Sequence, residues 1–229
     1  MQEQASRATS YTTLASGPDF RHEIEIKRSR FITVLRRADT EEAARDLVAG
    51  LRREFHDARH HCSAIILGPD RDIQRSSDDG EPSGTAGVPM LEALTKRETT
   101  PGAADLSDVS AVVVRYFGGI LLGAGGLVRA YSESVSSALS LVPLVRRSRL
   151  RICSAEVPHA AAGRLENDLR AAGFVMADTS YSAQYTVLRV AVSDNAGAIA
   201  DAADRLQLLT SGSVTLRPEG TEWVDVPFP

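Results

Sequence analysis

Val109-Ser110-Ala111-Val112-Val113-Val114-Arg115-Tyr116-Phe117-Gly118-Gly119-Ile120-Leu121-Leu122-Gly123-Ala124-Gly125-Gly126-Leu127-Val128-Arg129-Ala130-Tyr131 is the stretch from which the architecture of this chain can be read. Its first part is an almost uninterrupted β-branched run, the pattern of a strand covered on both faces. Period two places Val113, Arg115 and Phe117 on one face and Val114 and Tyr116 on the other. Five glycines (Gly118, Gly119, Gly123, Gly125 and Gly126) then form a turn. A helix over 126–141 follows, with Leu127, Tyr131, Val135, Ala138 and Val142 on one stripe. A strand, a glycine turn and a helix N-terminus in series can seat an anion on free backbone amides. Arg129 in the first helical turn adds a cation. The same glycines also serve a tight crossover and close helix–strand packing, and spacing alone leaves both readings open. The pattern is neither a P-loop nor a dinucleotide fingerprint.

Upstream lies Asp78-Asp79-Gly80-Glu81-Pro82-Ser83-Gly84-Thr85. Asp78, Asp79 and Glu81 are candidates for a Mg²⁺ site or for acid–base work. Asp-Gly and Glu-Pro are turn chemistry, and Ser83 or Thr85 can cap the next helix, so capping outweighs metal binding. His56, His60, His61 and Cys62 hold the residue types of a zinc site but no second ligand pair at matching spacing. A packed histidine beside the glycine turn is the better reading of this group, and His61 is the one carried into the candidate site. Ser83, His61 and Asp79 hold the types of a hydrolase triad, yet Ser83 stands in Pro-Ser-Gly rather than a nucleophile elbow.

Outward from this centre, residues 1–18 are expected to form a flexible tail. Segments 22–27 and 30–37 read as a hairpin. Thr40 caps a helix that carries Ala44, Leu47, Val48 and Leu51 at helical spacing. Ser63–Leu67 reads as a strand, Asp72–Arg75 as a short edge strand and Gly84–Arg97 as a helix. Arg146–Arg149 reads as an exposed connector. Beyond it comes strand 150–157, helix 160–172, strand 174–183, strand 185–193, helix 196–209 and strand 213–217, the βαββαβ order of ferredoxin-like domains. The expected helix 160–172 buries Ala161, Leu165, Leu169 and Ala172.

The chain has 229 residues, 43% hydrophobic and 24% charged, ordinary for a globular protein with a real core. A net charge of -4 excludes a global polybasic field, so any nucleic-acid contact is a local patch. From Arg149 onward there are seven Arg against ten Asp or Glu, which makes the C-terminal part acidic. Cys62 and Cys153 are far apart and form no CxxC pair, as expected of free thiols in a reducing compartment. No stretch approaches the roughly 18 apolar residues of a membrane span. The expected location is the cytoplasm.

Ser29-Arg30-Phe31-Ile32, His60-His61-Cys62, the loop 78–87 and the segment 115–131 closely resemble the YigZ/IMPACT family over roughly residues 20–140. The resemblance implies an α+β protein. Residues 19–145 would form an N-terminal domain of the ribosomal-protein-S-five-domain-two type, an α/β sandwich. Residues 149–220 would form a ferredoxin-like C-terminal domain. It also implies a role around translation, since eukaryotic relatives bind the activator of a starvation-responsive kinase. Two departures stand out. Leu121 occupies a position often held by Lys, and Ser63 one often held by an aromatic.

The leading expectation is a binding module rather than an enzyme, without cofactor or metal. Arg115, Tyr116, Phe117, Gly118, Gly119, Gly123, Gly125, Gly126 and Arg129 would engage RNA or the ribosome, with Asp78, Asp79, Glu81, Ser83, Thr85 and His61 beside them. The alternatives are a translation-associated protein partner on the same surface and an enzyme acting on a phosphorylated small molecule. No membrane partner is expected.

Overall fold

A computed structural model describes residues 8–226 and contains two antiparallel sheets and five helices. The described chain divides into two compact units at Arg146/Arg147. In the first unit the order is β1 (Ser10–Leu14), β2 (Phe20–Ile26), β3 (Ser29–Arg37), α1 (Glu41–Glu54), β4 (His60–Leu67), β5 (Ile73–Ser77), α2 (Gly87–Thr95), β6 (Val109–Tyr116) and α3 (Ala124–Leu141).

The first sheet runs β2-β3-β6-β4-β5, antiparallel throughout. The β-branched run is its central strand, and Val109 and Val112 to Val114 have no exposed surface. Period two then sorts the two faces. Val113 joins Phe31, Met90, Leu94, Tyr131 and Val135 in the core beneath α2 and α3. Val112 and Val114 join Ile32, Val34, Leu47 and Leu51 beneath α1. The Thr40 side chain accepts the Ala43 amide at 3.2 Å and starts α1, with Glu41 and Glu42 in the first turn, where acids suit the helix dipole. β2 and β3 are joined at Lys27 and Arg28, both left-handed (φ 46° and 63°), the geometry of a two-residue hairpin turn.

Part of the expected tail is ordered structure. Tyr11 to Leu14 are buried in β1. The Thr12 amide donates to the Asp105 carbonyl at 3.2 Å, the Ser107 amide donates to the Thr12 carbonyl at 2.9 Å, and the Tyr11 hydroxyl donates to the Asp108 carboxylate. This run is short, and its polar flanks hide it from a periodicity reading. Residues 1–7 of that tail lie outside the described residues.

Across the unit boundary runs β7 (Leu144–Val157), so residues 146–149 are strand rather than a connector. The second unit continues with α4 (His159–Ala171), β8 (Val175–Tyr181), β9 (Thr186–Val192), α5 (Ala196–Thr210) and β10 (Arg217–Val226). β8 pairs β9, β9 pairs β7, and β7 pairs β10. Its core gathers Leu165, Leu169, Phe174, Leu188, Val190 and Leu206. Ala162, not Ala161, is the buried alanine of α4, and Ala172 is only half-buried. The final strand begins at Arg217, where it was expected to end. Left-handed Ser211 and Gly212 stop α5, and Val214 and Leu216 then drop into the core from an irregular segment. Their alternation mimics a strand. No helix among the described residues is long and apolar enough to cross a membrane.

Candidate functional site

The acidic loop and the glycine loop both lie beside the C-terminal end of β6, and each acidic side chain already has partners. Asp78 accepts three backbone amides: Gly84 at 2.7 Å, Ala86 at 3.0 Å and Gly87 at 2.8 Å. It thereby caps α2 from a distance, because Ala86 at the N-cap position offers no side-chain acceptor. Thr85 turns back instead, its hydroxyl donating to the Pro82 carbonyl at 2.6 Å, and Ser83 is exposed. Capping is therefore the job of this loop, but through Asp78 rather than Ser83 or Thr85.

Partial burial works against the ionised form of Asp78, and the Gly84, Gly87 and Ala86 amides outweigh it, leaving the carboxyl below its ordinary range. A group with a lowered folded-state pKa stabilises the fold above the unfolded value, about 3.9, and that contribution is lost as pH falls through the lower folded value. Asp78→Asn is therefore expected to cost about 1–3 kcal/mol at pH 6. The gap between the urea midpoints of wild type and variant should hold down to about pH 4 and close below it. A gap that is independent of pH refutes the assignment.

Asp79 sits at φ 46°, followed by Gly80 at φ 84°. Its carboxylate accepts the His61 amide at 2.6 Å and pairs with Arg52. His61 is packed, but on the Val114 face with Asp79 at 3.8 Å rather than against the glycine loop. Burial pushes its imidazole pKa down, against the pull of Asp79.

Glu81 is buried, and its Oε1 accepts from Arg115 Nη1 at 2.6 Å and from the Tyr131 hydroxyl at 2.8 Å. The Cys62 sulfur lies 3.3 Å from that hydroxyl and 3.0 Å from the Asp78 carbonyl. Burial pushes the Cys62 thiol up to about 12, so at neutral pH it is a packed thiol and not a nucleophile. Burial likewise raises the Tyr131 phenol far above its ordinary value. Among the described residues no group of three acidic, His or Cys side chains is placed to hold a metal.

Arg115 therefore has an interior role. Its guanidinium carbon lies 5.4 Å from the Phe31 ring centroid and 5.8 Å from that of Phe117, and Nη2 is 3.4 Å from Ser29 Oγ. Arg115 was expected among the residues that engage RNA or the ribosome, but its guanidinium is buried and held by Glu81. A guanidinium needs a partner inside a core, and Glu81 supplies it. Sequence spacing gave no sign of this contact across 34 residues.

Arg129 is exposed, and among the described residues it has no ion-pair or hydrogen-bond partner. The helix begins at Ala124, two residues before the expected start, with Gly123 at φ 73° as its N-cap. The Leu127 amide donates to the Gly123 carbonyl at 2.9 Å, which leaves Ala124, Gly125 and Gly126 as the open amides of the first turn. Gly118 lies against the hairpin tip, its amide donating to Ser29 Oγ at 3.2 Å. That contact brings exposed Lys27 and Arg28 to the start of the loop, and Arg129 stands past its end. Neither hairpin cation has an ion-pair partner among the described residues. Sequence reasoning missed both, although two consecutive cations at a hairpin tip were a readable signal. Along the loop itself Phe117 is 49% exposed and Leu121 83% exposed, while Tyr116 donates to Asp57 at 2.7 Å. Gly119 sits at φ 86° with open space where a side chain would stand.

The Impact N-terminal domain matches residues 27–139, which include both loops. The chain is 45% identical over 173 residues to the IMPACT family member YvyE of Bacillus subtilis (strain 168), covering 76% of each. It is 40% identical over 194 residues to the IMPACT family member YigZ of Escherichia coli (strain K12), covering 84% of this chain and 90% of that one. Among solved structures, the crystal structure of a hypothetical protein is similar at 37% identity and a TM-score of 0.57, over 91% of this chain and 97% of that one.

Proposed function

The chain belongs to the IMPACT family, and we propose that it is a translation-associated binding and regulatory protein whose glycine-loop end engages RNA or the ribosome. One observation carries this reading. Three exposed cations without ion-pair partners among the described residues, Lys27, Arg28 and Arg129, flank a loop and helix start that offer open amides at 124–126 and the half-exposed ring of Phe117. Cations and amides suit phosphates, and an exposed ring suits an unstacked base. Arg115 has no direct part in this contact, because Glu81 holds its guanidinium in the interior. In this reading the first unit is a sandwich of the ribosomal-protein-S-five-domain-two type, the second is ferredoxin-like, and the protein works in the cytoplasm.

The test is binding of labelled single-stranded oligouridylate across a salt series. Each phosphate contact contributes roughly 0.7 to the slope of log K against log salt on single strands. A Lys27→Ala/Arg28→Ala/Arg129→Ala variant should therefore flatten the slope by about 2. An unchanged slope retires the reading.

Exposed Ile120, Leu121 and Val128 favour a second reading, a protein partner on the same loop. An apolar side chain as exposed as Leu121 gains little from phosphate and much from an apolar partner surface. Leu121→Ser weakening a partner complex that survives nuclease treatment, with oligouridylate affinity unchanged, would select this reading over the first.

A further inference from the structure

A five-stranded sheet is about 19 Å wide and a helix about 10 Å, so a single helix cannot cover a face of the first sheet. On the face that carries α1, the strip beyond β4 is open. β4 and β5 form its floor, with Ile65 opposite Arg75 and Ser63 opposite Ser77 in register. One stripe of α1 forms its wall: Glu41, Arg45, Val48 and Arg52, spaced so that all point one way. The resulting groove has a volume of about 360 Å³.

The charges along it are unequal. Arg52 is held by Asp79. Arg45 and Arg75 share one carboxylate, Glu41, at 4.0 Å and 3.9 Å, both beyond hydrogen-bond length. Two guanidiniums facing one distant anion leave a net positive groove, in which Ala44, Val48, Ala49 and Ile65 supply the apolar surface. Alongside runs β5, the edge strand, with all five residues exposed and no strand pairing its outer side among the described residues. An unpaired edge offers a row of backbone donors and acceptors.

We propose that this groove and edge bind an extended peptide carrying acidic side chains at alternate positions, added to β5 as a further strand. In a strand every second side chain points to one face. Residues two apart would thus enter the groove together, where Arg45 and Arg75 meet their carboxylates and Val48 and Ile65 their aliphatic stems. Main-chain bonds to β5 supply affinity and the arginines supply selectivity. Single-stranded RNA is a poorer fit, because among the described residues no aromatic side chain lines the groove for bases to stack on. The surface is separate from the glycine loop, and the proposal does not depend on the function proposed for that loop.

The test uses the full chain and capped, fluorescein-labelled peptides of about eight residues, a length matched to one short strand. One alternates valine with glutamate, one alternates valine with lysine, and one is the glutamate peptide N-methylated along its backbone. The glutamate peptide is expected to bind saturably, and the other two are not. Arg45→Ala/Arg75→Ala should weaken it about tenfold. Both side chains are largely exposed, 73% and 63%, so the fold is kept. Glu41→Gln, which removes the competing carboxylate, should tighten it. No saturable binding, equal affinity in the double variant, equal binding of the N-methylated peptide, or displacement of the peptide by oligouridylate would each overturn the proposal.

Discussion

Arg115→Met is expected to lower the stability of the first unit by about 3–5 kcal/mol, read as a drop in its urea midpoint. The substitution leaves the buried carboxylate of Glu81 without its counter-ion, 2.6 Å from an emptied position, with the Tyr131 hydroxyl as its one remaining donor among the described residues. Breaking a buried pair costs more than the pair itself is worth, because the remaining charge has already lost its water. The pair is not an optimal one, since Arg115 Nε is buried without a hydrogen-bond partner among the described residues. Adding Glu81→Gln should therefore restore most of the loss. Glutamine keeps an oxygen for the Tyr131 hydroxyl, and methionine packs where the guanidinium lay against Phe31. If Arg115→Met alone costs less than about 1 kcal/mol, the ion pair does not hold the acidic loop to the sheet. The double variant also separates structure from binding. It should keep its oligouridylate affinity, whereas a direct phosphate contact from Arg115 would be lost with the fold intact.

The residues that drew attention in the sequence therefore divide by role. Asp78 closes a helix terminus, Asp79 ties the loop to α1 and β4, and Glu81 neutralises Arg115. Their chemistry is directed inward, and their acceptors are occupied by amides, guanidiniums and a phenol. What faces solvent is the frame around them: the hairpin tip, the glycine loop and the first turn of α3. Rigidly held loops on a fixed scaffold are where binding surfaces are usually built.

Local rules made the central features readable. A β-branched run gave the central strand, period two sorted Val113 from Val114, and Thr40 marked the start of α1. Those rules concern neighbours in sequence. They failed where the decisive partner is remote. Val214 and Leu216 alternate like a strand, but the strand ladder starts only at Arg217, after the αL stop at Ser211. β1 is five residues long and owes its burial to contacts near Asp105 and Asp108. Arg115 was assigned to the correct face of β6, yet that face is interior, and only the arrival of Glu81 makes a charge tolerable there. A glycine's neighbours are equally invisible, so the five glycines from Gly118 to Gly126 read alike in sequence although their surroundings differ.

That difference sets the second large effect, expected at Gly118. A Cβ built there would lie 2.0 Å from the carbonyl carbon and oxygen of Arg28 and 2.5 Å from the Ser29 nitrogen. These are backbone atoms of a tight hairpin turn, with no flexible side-chain end to move aside. In Gly118→Ala the loop must withdraw from the hairpin, losing the bond from its amide to Ser29 Oγ. Overpacking of this kind costs about 1–3 kcal/mol, and the lost hydrogen bond adds about 1 kcal/mol. Displacing the loop also moves Phe117 and the open amides away from Lys27 and Arg28, so oligouridylate affinity should fall even below the melting transition. Two neighbours act as controls. Gly119→Ala meets open space but must hold φ 86°, a strain of about 1–2 kcal/mol without a clash. Gly125→Ala also meets open space within a helix, and should stabilise by up to about 1 kcal/mol. The expected order of thermal stability is Gly125→Ala, wild type, Gly119→Ala, Gly118→Ala. A Gly118→Ala protein that melts with the wild type and binds as it does would mean that the glycine loop does not rest on the hairpin tip, and the joining of Lys27, Arg28 and Arg129 into one surface would fall with it.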